Sequence, residues 1–170
     1  LSIHKFSVLK YLSINNEKVK NQLIMKHLDV VITERCSMKC RDCANLMQYY
    51  TKPMNSEFSD LSKSLDNLMM CVDKIYEFRV LGGDPFMNKE MYKVINKTVQ
   101  YENVESIVVY TNATIMPKNE NFECLKHPKV RLQITNYGKD LSRKHDALIE
   151  SLKQNNIKYV SENVILWDDI

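Results

Sequence analysis

The sequence predicts an α/β fold in which about five parallel strands alternate with helices. Short apolar runs of strand length alternate with longer stripes in which apolar residues recur every three or four positions. The first run, Leu28–Thr33, is almost continuously apolar, as in a strand that is buried on both faces of a parallel sheet. Unusual residues directly follow four of the predicted strands, so they are expected to meet at one rim of the sheet.

Residues 1–27 are predicted to form a helical extension ahead of the core, which covers residues 28–170. Apolar residues at Phe6, Leu9 and Leu12, followed by a polar break and a second apolar group, indicate two short helical pieces. The core is expected to be incomplete at its carboxyl end, because no helix is predicted after the last strand.

The first half of the core contains two strands and two helices after the strand at Leu28–Thr33. A helix capped by Asn55 or Ser56 is predicted, because a stripe of apolar residues follows these capping side chains. Strand two is predicted at Tyr76–Leu81, and Asn88 is expected to begin the next helix.

The second half continues the same alternation. Strand five is predicted either at Lys158–Ser161 or at Val164–Trp167. An edge strand at the second position would expose apolar residues and unpaired backbone, which promotes association. The other predicted elements are strand three at Ser106–Tyr110, a short helix beginning near Pro117, strand four at Val130–Thr135, and a fourth helix with Leu141, His145, Leu148 and Leu152 on one face.

Composition limits the classes of protein that the chain can represent. Its 170 residues suit one domain with a sizeable core, and its small net charge of +3, without a Lys/Arg-rich run, argues against a nucleic-acid partner. The sequence has neither an apolar run of about 18 residues nor a signal-peptide pattern, so we expect a cytoplasmic protein with no membrane partner. Five cysteines, three of them in one loop, suit a reducing compartment, and Cys71 and Cys124 are expected to be ordinary buried thiols.

Three cysteines, Cys36, Cys40 and Cys43, lie within eight residues immediately after the first strand. Thiolates select Zn²⁺, Cu(I) or iron–sulfur clusters, and this spacing lets one loop surround a single metal centre. A structural zinc site would need a fourth ligand, and no histidine lies at a ligand-like spacing from the loop. An iron–sulfur cluster with one open iron is therefore favoured over zinc and over three ordinary buried cysteines.

Glycine is rare in this chain, and two of its three glycines are adjacent at Gly82 and Gly83, directly after strand two. Such a pair indicates backbone that needs unusual dihedral angles or that closely approaches a ligand. The alternative interpretation of Gly82-Gly83-Asp84-Pro85 is a tight turn.

The C-x3-C-x2-C spacing resembles the signature of radical S-adenosylmethionine (SAM) enzymes. This resemblance implies that Cys36, Cys40 and Cys43 hold a [4Fe–4S] cluster whose unique iron chelates the amino and carboxylate groups of SAM. It further implies that the backbone of Asp42, the residue before the third cysteine, lies near the adenine.

Gly82-Gly83-Asp84-Pro85 resembles the Gly-Gly-Glu-Pro motif of the same family, in which backbone groups and the acid hold the methionyl amino group. Asp84 replaces the usual glutamate, so either the backbone provides most of the contact or the strand end lies closer to the ligand.

Two Thr-Asn pairs resemble further elements of that family. Thr111-Asn112 resembles a Thr-Asn-Gly element, with Ala113 at the glycine position, and Asn112 is expected to face SAM. Thr135 and Asn136 resemble the small polar residues that reach the ribose or carboxylate of SAM. Either pair could instead cap a following helix.

The resemblance implies a partial (βα) barrel, with about five βα units in this chain. It also implies reductive cleavage of SAM, hydrogen abstraction from a substrate by a 5′-deoxyadenosyl radical, and an electron donor such as flavodoxin or ferredoxin. A sugar or another small metabolite is the favoured substrate. An activating or maturation enzyme that acts on a protein or peptide, and a non-catalytic iron–sulfur module, are the alternatives. No catalytic residue on the substrate side is predicted.

Basic residues flank the cysteines at Arg35, Lys39 and Arg41. They would favour the more negative, reduced form of a cluster and so raise its potential. The alternative is that they are ordinary solvent-exposed residues of the loop.

Overall fold

A computed structural model describes residues 22–164, which form five strands and four helices. The strands form one sheet in the order β1-β2-β3-β4-β5, and all four pairings are parallel. The strands are β1 at Ile24–Val31, β2 at Lys74–Leu81, β3 at Val104–Thr111, β4 at Val130–Asn136 and β5 at Lys158–Asn163. The helices are α1 at Phe58–Met69, α2 at Met91–Thr98, α3 at Glu120–Glu123 and α4 at His145–Gln154.

The helices cover one face of the sheet, because right-handed crossovers between strands that follow one another in order all pass on the same side. The core lies between the helices and the sheet, where Phe78, Ile107 and Leu132 of the strands are fully buried with Leu148 and Leu152 of α4. The predicted alternation of parallel strands and helices is confirmed. None of the helices within residues 22–164 is both long enough and apolar enough to cross a membrane.

The opposite face of the sheet is polar at its centre. Glu77 and Arg79, which flank the buried Phe78 on β2, are only partly buried, and so is Arg131 on β4. The Glu77 carboxylate accepts hydrogen bonds from Arg79 Nε and from Arg131 Nη2, at 2.5 and 2.6 Å. The pair between Glu77 and Arg131 connects β2 and β4, which are two positions apart in the sheet.

The first strand begins earlier than predicted. It starts at Ile24 rather than at Leu28, so residues 24–27 belong to the sheet and not to the helical extension. Of these residues only Met25 is partly buried and the others are exposed, and such a segment lacks the continuous apolar run that was used to locate the strand. Residues 1–21 lie outside the described part of the chain, so the division into an extension and a core stays a prediction.

The last strand matches the first of its two predicted positions, because β5 begins at Lys158. Val164 follows β5 outside any strand, and residues 165–170 are not among the residues described. The expected apolar edge at Val164–Trp167 therefore falls almost entirely outside the described chain.

The predicted caps of α1 were wrong. The helix is preceded by Glu57, while the side chains of Asn55 and Ser56 hold their loop against the end of β1. Asn55 Oδ1 accepts a hydrogen bond from Thr33 Oγ1 at 2.7 Å, and Ser56 Oγ donates to the carbonyl of Val31 at 3.1 Å. Tertiary contacts thus compete for side chains that would otherwise suit a helix cap.

Three other helix starts also differ from the predicted positions. Pro117 precedes α3, which begins only after Asn119, whose φ of 51° interrupts helical geometry. Leu141 lies outside α4, because the helix begins only at His145. Asn88 precedes α2 by a short turn, in which its Oδ1 accepts from the amide of Glu90 at 2.9 Å.

Candidate cofactor site

The cysteine loop and the Gly-Gly turn pair with each other beyond the ends of β1 and β2. The amide of Gly83 donates to the carbonyl of Thr33 at 3.0 Å, and the amide of Asp84 donates to the carbonyl of Arg35 at 2.9 Å. Strand-like hydrogen bonding therefore continues from the sheet into the loop. This pairing places Cys36 directly beside the two glycines.

Gly82 and Gly83 are required by close packing of the chain against itself. A Cβ atom on Gly82 would lie 2.5 Å from Thr33 O, and one on Gly83 would overlap the Arg35 carbonyl and lie 2.6 Å from Cys36 Cβ. Within the described residues only Gly138 among the glycines has a positive φ. Unusual dihedral angles therefore do not explain the pair, and the close approach is to the cysteine loop.

The three cysteines line one cavity of about 240 Å³ at the carboxyl rim of the sheet. This position agrees with the rule that ligands of parallel α/β folds bind where the strands end. Of the predicted site residues, those that line the cavity are Cys36, Cys40, Asp42, Cys43, Gly82, Gly83, Asn112 and Thr135.

The thiol of Cys36 receives two hydrogen bonds. The backbone amide of Met38 lies 3.4 Å from Cys36 Sγ, and the side-chain amide of Asn112 lies 3.6 Å from the same sulfur. Burial raises the pKa of both Cys36 and Cys40 above the ordinary thiol value. Both must lose their protons to become ligands, and metal binding is coupled to that deprotonation.

The described side chains do not converge on a single point in the way that one metal ion would require. Within residues 22–164 no group of three or more His, Cys, Asp or Glu side chains has the geometry to hold an ion. The fit to a cofactor therefore rests on the donor set. Three soft thiols line one cavity, and this is the ligand type that iron–sulfur clusters use.

Asp84 is fully buried and does not line the cavity. Its Oδ1 accepts from the amide of Phe86 at 3.0 Å, and its Oδ2 accepts from Thr111 Oγ1 at 2.8 Å and from the amide of Asn112 at 3.4 Å. Burial raises the pKa of this carboxyl, although these hydrogen bonds oppose the effect. The short side chain therefore joins the ends of β2 and β3, and the backbone of Gly82 and Gly83 is the part of this motif that faces the cavity.

The two Thr-Asn pairs differ in their relation to the cavity. Asn112 lines it, whereas Asn136 does not, because Asn136 Nδ2 donates to Asn163 Oδ1 at 2.9 Å at the rim between β4 and β5. Thr135 faces the cavity from β4. Ala113 has a φ of 56°, so the backbone keeps the left-handed conformation that favours glycine although glycine is absent.

Sequence reasoning missed several residues of the cavity wall. Asn45 donates from Nδ2 to the carbonyl of Gly82 at 3.0 Å, which fixes the far side of the cysteine loop. Tyr137 lies half-buried near the three thiols; burial chiefly, and then the thiolate charges, raise the pKa of its hydroxyl. Tyr137 could have been found, because it directly follows a Thr-Asn pair at a strand end, but no pattern in the sequence marks Asn45. The other missed wall residues include Met38 and Tyr110.

Comparison with known families identifies the cysteine loop. Residues 25–158 match the family described as the 4Fe-4S single cluster domain. The chain belongs to this family. The match spans the loop, the Gly-Gly turn and both Thr-Asn pairs, and it decides between an iron–sulfur and a zinc interpretation of the three thiols.

The relatives found by sequence include GTP 3′,8-cyclases. The chain is 28% identical to the enzyme of Clostridium acetobutylicum, over 82% of this chain and 47% of that protein. It is 24% identical to the enzyme of Campylobacter lari, over 55% of this chain and 29% of that protein. The chain thus spans less than half the length of these curated relatives.

The fold is similar to that of SAM-bound proteins of known structure. SuiB of Streptococcus suis, solved with S-adenosylmethionine, superposes with a TM-score of 0.70 at 13% identity, covering 86% of this chain and 35% of SuiB. BtrN, solved with AdoMet and 2-DOIA, gives a TM-score of 0.62 at 14% identity, covering 85% of this chain and 60% of BtrN. The predicted partial α/β barrel of the radical SAM type is confirmed by the fold, and the family match supports the predicted [4Fe–4S] cluster.

Proposed function

We propose that this protein is a radical SAM enzyme that abstracts a hydrogen atom from its substrate. The observation that carries the proposal is the convergence of three thiols, the Gly-Gly backbone and the polar strand ends on one cavity. When bound, the cluster and SAM supply the chemistry: one-electron reduction cleaves SAM to methionine and a 5′-deoxyadenosyl radical. The protein holds these groups, orients them and limits the access of water.

Each part of the cavity has its own proposed role. Cys36, Cys40 and Cys43 hold the cluster, and the close packing of Gly83 on Cys36 fixes their loop. Backbone groups of Gly82 and Gly83 bind the methionyl amino group.

The remaining polar groups of the wall bind other parts of SAM. Asn112 and Thr135 supply hydrogen bonds to its polar groups, and the backbone of Asp42 borders the adenine. Asn136 holds β4 and β5 together at the rim and does not bind SAM directly, because its side chain is hydrogen-bonded to Asn163.

The proposed substrate is a small molecule such as a sugar or another metabolite, and the protein is proposed to work in the cytoplasm with a separate electron donor. The sequence relatives named GTP 3′,8-cyclase and the complex of BtrN with 2-DOIA support a small molecule. A peptide substrate is the second candidate, because SuiB has also been solved with a precursor peptide.

The cluster is tested by anaerobic reconstitution and metal analysis. We expect about four irons and four sulfides per chain, with a brown chromophore. Replacement of Cys36, Cys40 or Cys43 by Ala should abolish iron binding, whereas the matched variant Cys71→Ala, at an exposed thiol, should retain it. Tight binding of one zinc with no iron would contradict the assignment.

The activity is tested by incubating the reconstituted protein with SAM and dithionite under anaerobic conditions. We expect 5′-deoxyadenosine by chromatography and a change in the EPR spectrum of the reduced cluster when SAM is added. A reduced cluster whose spectrum does not respond to SAM would contradict the proposed use of SAM by this chain.

A further inference from the structure

A second cavity, separate from the cofactor cavity, also borders the cysteine loop. This recess measures about 360 Å³ and shares two wall residues, Met38 and Cys40, with the cofactor cavity. Its remaining walls are Ser37, Lys39, Thr114, Leu141 and Arg143. Met38 and Cys40 therefore border both the recess and the cavity that is proposed to hold the cluster.

The recess is basic. Lys39 and Arg143 line it, and none of the described residues that form its wall is acidic. The two segments that supply these side chains, residues 35–43 and 138–144, carry six basic residues and only two acidic ones. Lys39, Arg143 and their charged neighbours are exposed, so the positive potential extends onto the surrounding surface.

The recess is held together by contacts between three rim loops. The hydroxyl groups of Ser37 and Thr114 are hydrogen-bonded to each other, which joins the cysteine loop to the segment after β3. The amide of Lys144 donates to the carbonyl of Ala113 at 2.9 Å, which joins the same segment to the loop before α4. The basic residues therefore belong to one continuous surface.

This surface suits a protein partner better than a small anion. The two hydroxyl groups in the wall bond each other, and the remaining cationic groups are long, exposed side chains. Exposed charges of one sign attract an oppositely charged macromolecule at long range and speed its association. They hold a small anion poorly, because water and salt screen them.

We propose that this recess and the basic surface around it form the docking site for an acidic one-electron donor protein. The inference rests on the proposed function, which requires that an external electron reach the cluster while SAM fills the cofactor cavity. Docking here brings the donor against Met38 and Cys40, the two residues that the recess shares with the cofactor cavity. The transfer moves one electron from the reduced donor to the cluster, oxidises the donor by one electron and moves no proton.

The experiment compares two reductants with the full chain carrying its cluster. Flavodoxin hydroquinone and reduced ferredoxin are the acidic donor proteins, and dithionite is the small chemical reductant. The variants Lys139→Glu and Arg143→Glu reverse charge at the recess and on the basic surface beside it, and Lys63→Glu makes the same change on an exposed residue of α1. Stopped-flow absorbance gives the rate of cluster reduction, and calorimetry gives the affinity for oxidised flavodoxin and ferredoxin.

We expect at least one donor protein to reduce the parent cluster, with a rate that falls steeply as salt is added. Each recess variant should slow that reduction about tenfold or more and weaken binding of the oxidised donor, in line with the range over which charge steers association. Lys63→Glu should behave as the parent. Reduction by dithionite, and the 5′-deoxyadenosine formed with it, should be unchanged in all variants.

The outcomes separate this inference from the proposed function. If dithionite gives no 5′-deoxyadenosine with the parent protein, the proposed function is wrong. If dithionite turnover is normal but neither donor protein reduces the cluster, or the recess variants match Lys63→Glu, the docking site is wrong. Equal slowing with dithionite and the donor protein would also overturn it, because that result indicates an altered cluster potential.

Discussion

The carboxyl rim of the sheet has two regions that use glycine in opposite ways. After β1 and β2, Gly82 and Gly83 lie against the cysteine loop so closely that a methyl group on either would collide with backbone atoms. After β4, Gly138 has a φ of 89° and open space where a side chain would lie. One region needs glycine for its size, and the other needs it for its backbone conformation.

This difference separates a turn that packs against the cysteine loop from a loop that is held by its own polar contacts. In the first region the amides of Gly83 and Asp84 donate to the carbonyls of Thr33 and Arg35. The carboxylate of Asp84 then accepts a hydrogen bond from Thr111 at the end of β3. In the second region the polar side chains satisfy one another, as Asn136 does with Asn163 and with the amide of Gly138. A substitution at Gly83 should therefore affect cluster loading, and one at Gly138 should affect stability alone.

The largest effect is expected for Gly83→Ala. The new methyl group would overlap the Arg35 carbonyl and press on Cys36, so the cysteine loop must move away from the sheet. We expect the free energy of unfolding to fall by about 3 kcal/mol, as for a strongly overpacked core position. Urea denaturation and iron analysis measure the two consequences, and iron content should fall sharply. Normal iron content in this variant would show that the loop does not depend on the turn.

A smaller effect is expected for Asp84→Ala, which leaves three buried hydrogen-bond donors without their acceptor. The free energy of unfolding should fall by about 2 kcal/mol, measured by urea denaturation. Asp84→Asn, which keeps one acceptor oxygen, should lose less. SAM affinity should change little in Asp84→Asn, because the carboxylate does not line the cavity, and a loss of SAM binding without a loss of stability would contradict this placement.

The same carboxyl group should make stability depend on pH. Burial raises the pKa of Asp84 above its ordinary value of 3.8, so the folded state holds this proton more tightly than the unfolded state does. The contribution of the group to stability is therefore largest below about pH 4 and falls as the pH rises through the raised pKa. Subtracting the unfolding free energies of Asp84→Asn from those of the parent across this range should isolate the trend, and a difference that grows with pH would contradict it.

The sequence predicted the fold and the grouping of the three cysteines at one cavity because both have periodic or closely spaced signals. Residues such as Leu28–Thr33, and the three cysteines themselves, can be recognised without knowing any tertiary contact. The role of Asp84 could not be predicted in this way. Whether a carboxylate faces a ligand or a neighbouring strand depends on one side-chain direction, which the residue type does not determine.

The predicted helix starts were wrong for a related reason. Asn55 and Ser56 have side chains that suit a helix cap, but they bond Thr33 and Val31 on β1 instead. Capping propensity is local, whereas the competing partner is more than twenty residues away in the chain. Asn45 in the cavity wall is a similar case, since only the fold brings it to the carbonyl of Gly82.

A fourth prediction compares the two asparagines at the ends of β3 and β4. Asn112 donates to Cys36 Sγ, and hydrogen bonds to the sulfur ligands stabilise the reduced cluster. Asn112→Ala should therefore shift the cluster to a more negative potential in an EPR-monitored redox titration, with a loss of unfolding free energy of about 1 kcal/mol. The matched variant Asn136→Ala should leave the potential unchanged. Equal shifts in both variants would remove the distinction between the two regions.

The smallest effect is expected for Gly138→Ala, which tests the second region directly. No atom lies within 4 Å of the position that the new methyl group would take, so the cost comes only from forcing alanine to a φ of 89°. That strain is on the order of 1 kcal/mol in the free energy of unfolding. Iron content and SAM affinity should equal those of the parent, and Gly138→Asn should lose less stability, because asparagine tolerates positive φ better than alanine. Loss of the cluster in Gly138→Ala, measured by iron analysis beside Gly83→Ala, would show that the loop after β4 also positions the cofactors.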